Sequence, residues 1–192
     1  MLKRNETVFG LHDTAREKSS CGVGFITRKD GVQTHKLLEK GHEALCSVPH
    51  RGGMSAEGVG DGAGVSVDLS IEFFQKITNT DLKAGQFGVG NFFMPNRQEQ
   101  RDKACQLIAS SLADSGLKIL AERDIAVDNG VLRSAAIDLQ LPITQWIFLA
   151  PMGISGVKFE KLIYSVLLAI ESQAYTDVEL DGLYPLSMSS QT

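Results

Sequence analysis

Hydrophobic and polar positions follow two different periods along the chain, and together they predict a mixture of helices and strands. Apolar residues three or four positions apart indicate a helix face, whereas alternating or continuous apolar residues in short runs indicate a strand. The helical period predicts helices over residues 34–48, 70–77, 97–114 and 158–172, with a short helical piece near 131–136. The strand pattern predicts strands over residues 21–28, 65–69, 86–94, 117–127, 143–150 and 182–190.

Residues that start and stop secondary structure support these boundaries. Thr34 and Ser70 are suited to cap helix N-termini through their hydroxyl groups. Pro49 stops the first helix, and Gly116 ends the third. The pair Asp30-Gly31 is a turn signal of the hairpin kind. Some strands are therefore joined by turns and others by helices, which predicts an α+β or mixed α/β fold with layered sheets.

Composition and charge exclude several classes of protein. The 192 residues are 43% hydrophobic and 22% charged, which is normal for one folded globular domain. The formal net charge is −4 without a basic cluster, which argues against a nucleic-acid partner. No apolar run reaches the roughly 18 residues of a membrane span, and none of the signal-peptide kind precedes Cys21. We therefore expect a cytoplasmic protein with no nucleic-acid or membrane partner.

The three cysteines are too few and too scattered for a disulfide framework, a zinc site or a cluster. Cys46 and Cys105 lie inside helical patterns, and both are predicted to be small buried hydrophobic residues. The histidines also lack the spacing that metal sites use, so no metal is predicted. The histidines concerned are His12, His35 and His42.

Cys21 belongs to a set of motifs that change this picture. It lies in the run Ser20–Ile26, which reads Ser-Cys-Gly-Val-Gly-Phe-Ile. Two further features follow along the chain: the loop that begins with Pro49–Gly53 and ends in Gly60–Gly64, and the run Glu122–Asn129. In this order and spacing, the motifs resemble the opening of the large subunit of glutamate synthase. The part concerned is that subunit's N-terminal class II glutamine amidotransferase domain.

The resemblance covers nearly the whole chain. The leader matches at Gly10–Asp13 and at Glu17-Lys18, shortly before the cysteine. The last segment, residues 184–192, resembles a family strand that ends in Ser-Leu-Ser-Ser-Arg-Thr. This chain departs from that pattern at Gln191, where the family usually has arginine.

The resemblance implies a particular fold and domain organisation. The expected fold is α+β, a four-layer αββα sandwich like that of N-terminal nucleophile hydrolases, incomplete at its C-terminal end. Residues 1–20 would be a leader or propeptide, and residues 21–192 would be the N-terminal part of the amidotransferase domain. The sequence leaves open whether the leader is cleaved.

The resemblance also implies the chemistry. Cys21 would be the nucleophile that hydrolyses glutamine to glutamate and ammonia, activated by its own free α-amino group once the leader is removed, as in other N-terminal nucleophiles. In the parent enzyme the ammonia converts 2-oxoglutarate to a second glutamate. That step implies FMN and an iron–sulfur cluster, and both cofactors would be bound outside this chain. The implied partners are glutamine, the remaining domains of the large subunit and a small electron-transfer subunit.

A glycine-rich loop supplies the other candidate site residues. In the resemblance Arg51 lies beside the nucleophile and orders the substrate pocket, while His50, Gly52 and Asp61 support the loop. Two structural alternatives stand beside these roles. Arg51 would then bind backbone carbonyl groups, and His50 would be part of the framework.

The family pattern continues past the last residue of this chain. The substrate-clamping arginine and the Asn-Gly of the oxyanion hole come later, and Asn129-Gly130 matches a different family segment. We therefore expect a partial domain that is a poor glutaminase or none, because oxyanion donors are worth about 10²–10³ in rate. Two other interpretations stay open: a silent fragment or partner-binding module, and another class II amidotransferase.

Overall fold

The computed structural model describes residues 22–47, 60, 62–132 and 134–192. The chain divides into two compact units, residues 1–54 with 60–63, and residues 55–59 with 64–192. Within the described ranges, the first unit contains one helix, and the second contains a four-stranded sheet and the remaining helices. None of the helices in these ranges is both long and apolar enough to cross a membrane.

The first unit confirms the predicted helix and contradicts the predicted strand. Helix α1 spans His35–Cys46, and Thr34 holds the N-cap position without a side-chain capping bond. Residues 22–28 form no strand, so the prediction of a strand over 21–28 is wrong for them. A strand is stabilised by side-chain pairs with a neighbouring strand, and this segment has no such neighbour among the described residues. The predicted turn is present, with Gly31 in the left-handed region at φ 67°.

The second unit contains most of the predicted elements. Its helices are α2 (Ile71–Thr78), α3 (Gln98–Asp114), α4 (Ser134–Asp138) and α5 (Gly156–Thr176). Its strands are β1 (Phe87–Phe93), β2 (Lys118–Asp124), β3 (Ile143–Leu149) and β4 (Tyr184–Ser189). Short 3₁₀ turns lie at Asn129–Val131 and Val178–Leu180. The prediction of a strand over 65–69 is wrong. Among the described residues, the only backbone hydrogen bond from this segment to a distant segment runs from Leu69 N to Gln191 O, at 3.0 Å, and one bond does not make a strand.

The strands form one antiparallel sheet in the order β2-β3-β1-β4. Helices α3 and α5 cover one face and build the larger core with alternate residues of the strands. That core includes the fully buried side chains of Phe92, Phe148, Ile108, Phe159 and Ile163. The mixed composition of helices and an antiparallel sheet confirms the predicted α+β class.

Glycines on β1 make room for aromatic rings on the helix-covered face. Gly88 pairs with Phe148 of β3, and Gly90 pairs with Trp146. A Cβ atom added at Gly88 would lie 2.6 Å from Cε2 of Phe148 and 3.1 Å from Cδ1 of Ile163. The distance to Phe148 is far below van der Waals contact, so the Phe148 ring occupies the space that a side chain at residue 88 would need.

The opposite face of the sheet carries a smaller apolar cluster. Phe74 of α2 packs there with Leu82, Phe87, Val89 and Ile147, all of them buried. Ser70 caps α2 as predicted, since its hydroxyl oxygen accepts a hydrogen bond from the backbone N–H of Phe73 at 3.4 Å.

Candidate functional site

The five site residues predicted from the sequence lie outside the described residues. They are Cys21, His50, Arg51, Gly52 and Asp61. The roles assigned to them therefore stay predictions. The structure describes the residues that follow Cys21 and the two glycines that flank Asp61, together with the thiols of Cys46 and Cys105.

The segment that follows the predicted nucleophile presents apolar side chains to solvent. Val23 and Phe25 are almost fully exposed, and Ile26 is exposed to a lesser degree. A Cβ atom added at Gly24 would meet no atom within 4 Å. The glycine of this motif is therefore not required by packing against any described residue.

Gly60 and Gly62 flank Asp61, and the structure describes both. Both glycines are exposed. Gly62 has φ 78°, in the left-handed region that L-residues with side chains rarely adopt. The backbone path next to Asp61 therefore explains why glycine occupies position 62.

Cys105 has surroundings that suppress its reactivity. Its thiol is half-buried and donates a hydrogen bond to Oε1 of Glu122 at 3.3 Å. Burial, followed by this hydrogen bond and the negative charge of Glu122, raises the pKa of the Cys105 thiol to about 12. Because only the thiolate is nucleophilic, Cys105 is inert at neutral pH.

Cys46 is exposed, so the prediction that it is a buried hydrophobic residue is wrong. It lies near the end of α1, one turn after His42. Its Sγ atom is 3.8 Å from Nε2 and 3.9 Å from Nδ1 of that histidine. Among the described residues, no group of three or more metal-binding side chains lies close together. Cys46 is thus an accessible thiol that any labelling of Cys21 has to be distinguished from.

A row of polar side chains crosses all four strands on the α2 side of the sheet. Nδ2 of Asn91 donates to Oγ of Ser187 at 2.8 Å, and Nε2 of Gln145 donates to Oδ1 of Asn91 at 2.9 Å. Nε of Arg123 donates to Oε1 of Gln145 at 2.8 Å. The Arg123 guanidinium also lies 5.5 Å from the ring centre of Phe73. Side-chain hydrogen bonds therefore link one residue on each of the four strands in a line across the sheet.

Glu160 of α5 anchors the end of β4. Its carboxylate accepts hydrogen bonds from Oγ of Ser189 at 2.7 Å, from Oγ of Ser190 at 2.5 Å and from N of Ser190 at 2.9 Å. Burial acts to raise the pKa of Glu160, but the hydrogen bonds from Ser190 and Ser189 together outweigh it and leave that pKa below its usual value. The two serines of the last sequence motif therefore have a structural role next to the helix.

Comparison with known families identifies the class of this protein. The pattern of the family described as glutamine amidotransferases class-II matches residues 21–192. The chain belongs to this family. The match begins at Cys21 and includes every predicted site residue.

Individual relatives are more specific. The chain is 30% identical over 188 residues to the large chain of glutamate synthase (NADPH) of Bacillus subtilis, covering 95% of this chain and 12% of the relative. It is 34% identical over 145 residues to glutamate synthase (NADH) of Saccharomyces cerevisiae, covering 71% of this chain and 7% of the relative. Ferredoxin-dependent glutamate synthase 2 of Synechocystis is 32% identical over 165 residues, or 83% of this chain and 11% of the relative. The chain thus spans about a tenth of the length of these relatives.

Proposed function

We propose that this chain is the glutamine-hydrolysing part of a glutamate synthase and that Cys21 is its nucleophile. The observation that carries the proposal is the family match, which begins at Cys21 and continues to residue 192. The similar proteins named above are glutamate synthases, which supports this assignment within the family.

The proposed reaction uses the thiol of Cys21 and a free amine on the same residue. The amine, with a reference pKa of about 7.7–8.0, is a base suited to neutral pH and accepts the thiol proton. The sulfur attacks the side-chain carbonyl carbon of glutamine, and the carbon–nitrogen bond breaks as the amine returns the proton to the leaving ammonia. Water then hydrolyses the thioester, which releases glutamate and restores the thiol.

The free amine requires that the peptide bond before Cys21 be cleaved. We therefore propose that residues 1–20 are a leader that is removed and that residues 21–192 belong to one amidotransferase domain. A four-layer αββα sandwich is the fold that would hold this site, with the described antiparallel sheet as one of its two sheets. A cytoplasmic location is proposed from the sequence.

The proposed roles of the loop residues follow from their side-chain chemistry. The Arg51 guanidinium would bind glutamine through its planar set of donors, which suits a carboxylate. His50, Gly52 and Asp61 would shape the loop around it. The positive φ of Gly62 supports a tight backbone path beside Asp61.

The properties of the other thiols favour Cys21 as the nucleophile. The Cys105 thiol has its pKa raised to about 12 and is already bonded to Glu122. Cys46 lies within α1, where its amine is part of a helix peptide bond and is not available as a base. Of the three cysteines, only Cys21 would gain a free amine by cleavage of the leader.

In the complete enzyme the ammonia would be delivered to 2-oxoglutarate. FMN and an iron–sulfur cluster would serve that step in other parts of the enzyme, together with its remaining domains and a small electron-transfer subunit. The similar proteins are named for NADH, NADPH or ferredoxin. Because these names differ in the electron donor, they support glutamate formation and do not select one donor for the complete enzyme.

A diazoketone analogue of glutamine, which alkylates nucleophilic thiols, tests the proposal by intact mass. We expect a mass that lacks residues 1–20 and carries one adduct, with the adduct on Cys21 in the peptide map. The adduct is expected to persist in Cys46→Ala and to be lost in Cys21→Ala. An excess of glutamine should slow the labelling.

Three results would overturn the assignment. An unlabelled mass of full length would show that the chain is a silent module. An adduct on Cys46 alone would show chemical accessibility without a glutamine site. Labelling of Cys21 that glutamine does not slow would remove the substrate assignment while keeping a reactive thiol.

A further inference from the structure

Helix α5 has an apolar stripe on the face that points away from the core. Its inner face is buried through Phe159, Ile163, Val166 and Ile170. On the outer face, Val157 is 74% exposed, Tyr164 60%, Leu168 45% and Tyr175 93%. At 100° per residue these four positions fall within about 40° of one another. They form a straight apolar stripe along roughly 27 Å of helix.

The outer stripe also contains two charged residues, and the six positions together have the spacing of a coiled-coil seam. With Lys161 and Glu171 included, successive stripe positions are separated by four, three, four, three and four residues. This is the alternation of a and d positions in a heptad repeat, where each side chain packs against a neighbouring helix. The outer face of α5 is therefore patterned to pack against a second helix.

When the stripe is read from its two ends, each apolar position matches an apolar position and the lysine matches the glutamate. Reading from both ends, Val157 corresponds to Tyr175, Lys161 to Glu171 and Tyr164 to Leu168. All three pairs are centred on position 166. Two copies of α5 that lie antiparallel about a two-fold axis at this position would thus place apolar side chains opposite apolar ones and a lysine opposite a glutamate.

We propose that the outer stripe of α5 is a dimer interface that pairs with α5 of a second copy of this chain in an antiparallel arrangement. The interface is of the two-fold kind, in which the same patch serves both subunits. It contains two Lys161–Glu171 ion pairs. A parallel pair would instead place Lys161 opposite Lys161 and Glu171 opposite Glu171, which is repulsive.

Charge and size define what the pairing should look like. Lys161 and Glu171 form no ion pair with another residue in the described part of the chain, so both are available across the interface. The stripe carries one charge of each sign, a pattern with no preference for an anionic lipid surface. Six side chains per subunit are well below the roughly 20–30 of a standard interface. The affinity of the dimer should therefore be low, so that monomer and dimer are both present over a range of protein concentrations.

Sedimentation velocity over a range of concentrations tests for the dimer. We expect the weight-average mass to rise from one to two chains as concentration increases. Tyr164→Lys and Leu168→Lys should each weaken dimerisation by at least about tenfold, since both place a charge in the apolar seam. Met152→Lys is the matched control because Met152 is fully exposed and lies outside α5, and it should leave the mass curve unchanged.

Charge exchange tests the pairing partner. Lys161→Glu and Glu171→Lys should each weaken the dimer, because each places like charges opposite one another. The double variant restores opposite charges at both ends and should regain most of the affinity. If the double variant is as weak as the single ones, the proposed register is wrong.

Disulfide cross-linking tests the orientation in a background with Cys21→Ser and Cys46→Ser. A mixture of Val157→Cys and Tyr175→Cys chains should cross-link, whereas Val157→Cys alone should not. Efficient cross-linking of Val157→Cys with itself would overturn the antiparallel arrangement. A monomer at every concentration would overturn the dimer, and so would a monomer that binds vesicles of neutral or anionic lipid through this stripe. None of these measurements depends on glutamine hydrolysis, so they are separate from the test of Cys21.

Discussion

At the scale of single residues, Glu160 shows how a partly buried carboxylate can favour folding. Burial disfavours its charge, but the three hydrogen bonds from Ser189 and Ser190 stabilise it, and the net result is a lowered pKa. A carboxylate with a lowered pKa contributes stability above its unfolded pKa of about 4.3. That contribution is lost as the pH falls through the folded pKa.

This linkage predicts a pH-dependent effect of Glu160→Gln. At pH 7 the variant should lower the free energy of unfolding by about 1 kcal/mol, at the low end for charge-assisted bonds because the carboxylate is only partly buried. The loss should shrink towards zero as the pH falls below the lowered folded-state pKa of Glu160, where the group is protonated in both states. Urea unfolding at several pH values measures this.

The control for Glu160→Gln is Asp114→Asn, which removes an exposed carboxylate at the end of α3 that has no hydrogen bond to another described side chain. It should cost no stability at neutral pH. An equal loss for Glu160→Gln at neutral and acid pH would show that the charge of Glu160 has no role.

The two described thiols show where sequence reasoning fails at this scale. Helical spacing placed Cys46 and Cys105 in helices correctly, but it could not tell which helix face has a covering layer. Cys105 faces Glu122 of β2, a residue 17 positions away that only the fold brings close. Cys46 lies on the polar side of α1, half a turn around the helix from Leu37.

At the scale of elements, β1 depends on a glycine at a position without room for a side chain. Gly88→Ala would place a methyl group 2.6 Å from the Phe148 ring. Because the ring is fully buried between the sheet and α5, we expect a loss of about 1–3 kcal/mol. Thermal or urea unfolding of the variant measures it.

Gly64→Ala is the matched control, since a Cβ atom there meets nothing within 4 Å and its backbone is not in the left-handed region. It should change stability by no more than about 1 kcal/mol. Phe148→Leu combined with Gly88→Ala should show strong non-additivity, because the two changes share one space. Additive effects would contradict the proposed clash.

Secondary structure was predictable where a segment has a strong internal pattern. The long apolar periods of α3 and α5 and the apolar runs of β1 and β3 marked these elements within a few residues. Residues 22–28 and 65–69 have strand-like sequences, but a strand also needs a neighbour. Nothing local in the sequence reveals whether that neighbour is present.

The polar row was missed for the same reason. Asn91, Gln145, Arg123 and Ser187 come from four separate strands, and each looks like an isolated polar residue in its own segment. Their partnership depends on the strand order and register, which sequence periodicity does not give. The predicted site residues, in contrast, came from motif resemblance, and all of them lie within the family match.

At the scale of the whole molecule, the described helix of the first unit differs in burial from the core elements of the second unit. Helix α1 has 12 residues, none of them buried. In the second unit, β1, β3 and α5 all contribute fully buried side chains. An isolated helix of about 12 residues is marginal in water, whereas core elements open only with global unfolding.

We therefore predict uneven hydrogen exchange across the chain. Peptides from α1 should exchange their amides at least about a hundredfold faster than peptides from β3. Exchange detected by mass spectrometry measures this, with α3 as a helical control that should resemble β3. Protection of α1 equal to that of β3 would show that α1 is held as firmly as the core.

The glycine–aromatic pairs of β1 and β3 bear on how the chain finds its fold. If β1 slipped by two residues in one direction, Phe92 would lie opposite Trp146, and in the other direction Gln86 would lie opposite Phe148. Either slip also separates Asn91 from Gln145 on the other face. Two independent features, one steric and one polar, thus reject the same mispairings. The central strand pair should therefore reach its native alignment without long-lived misaligned intermediates.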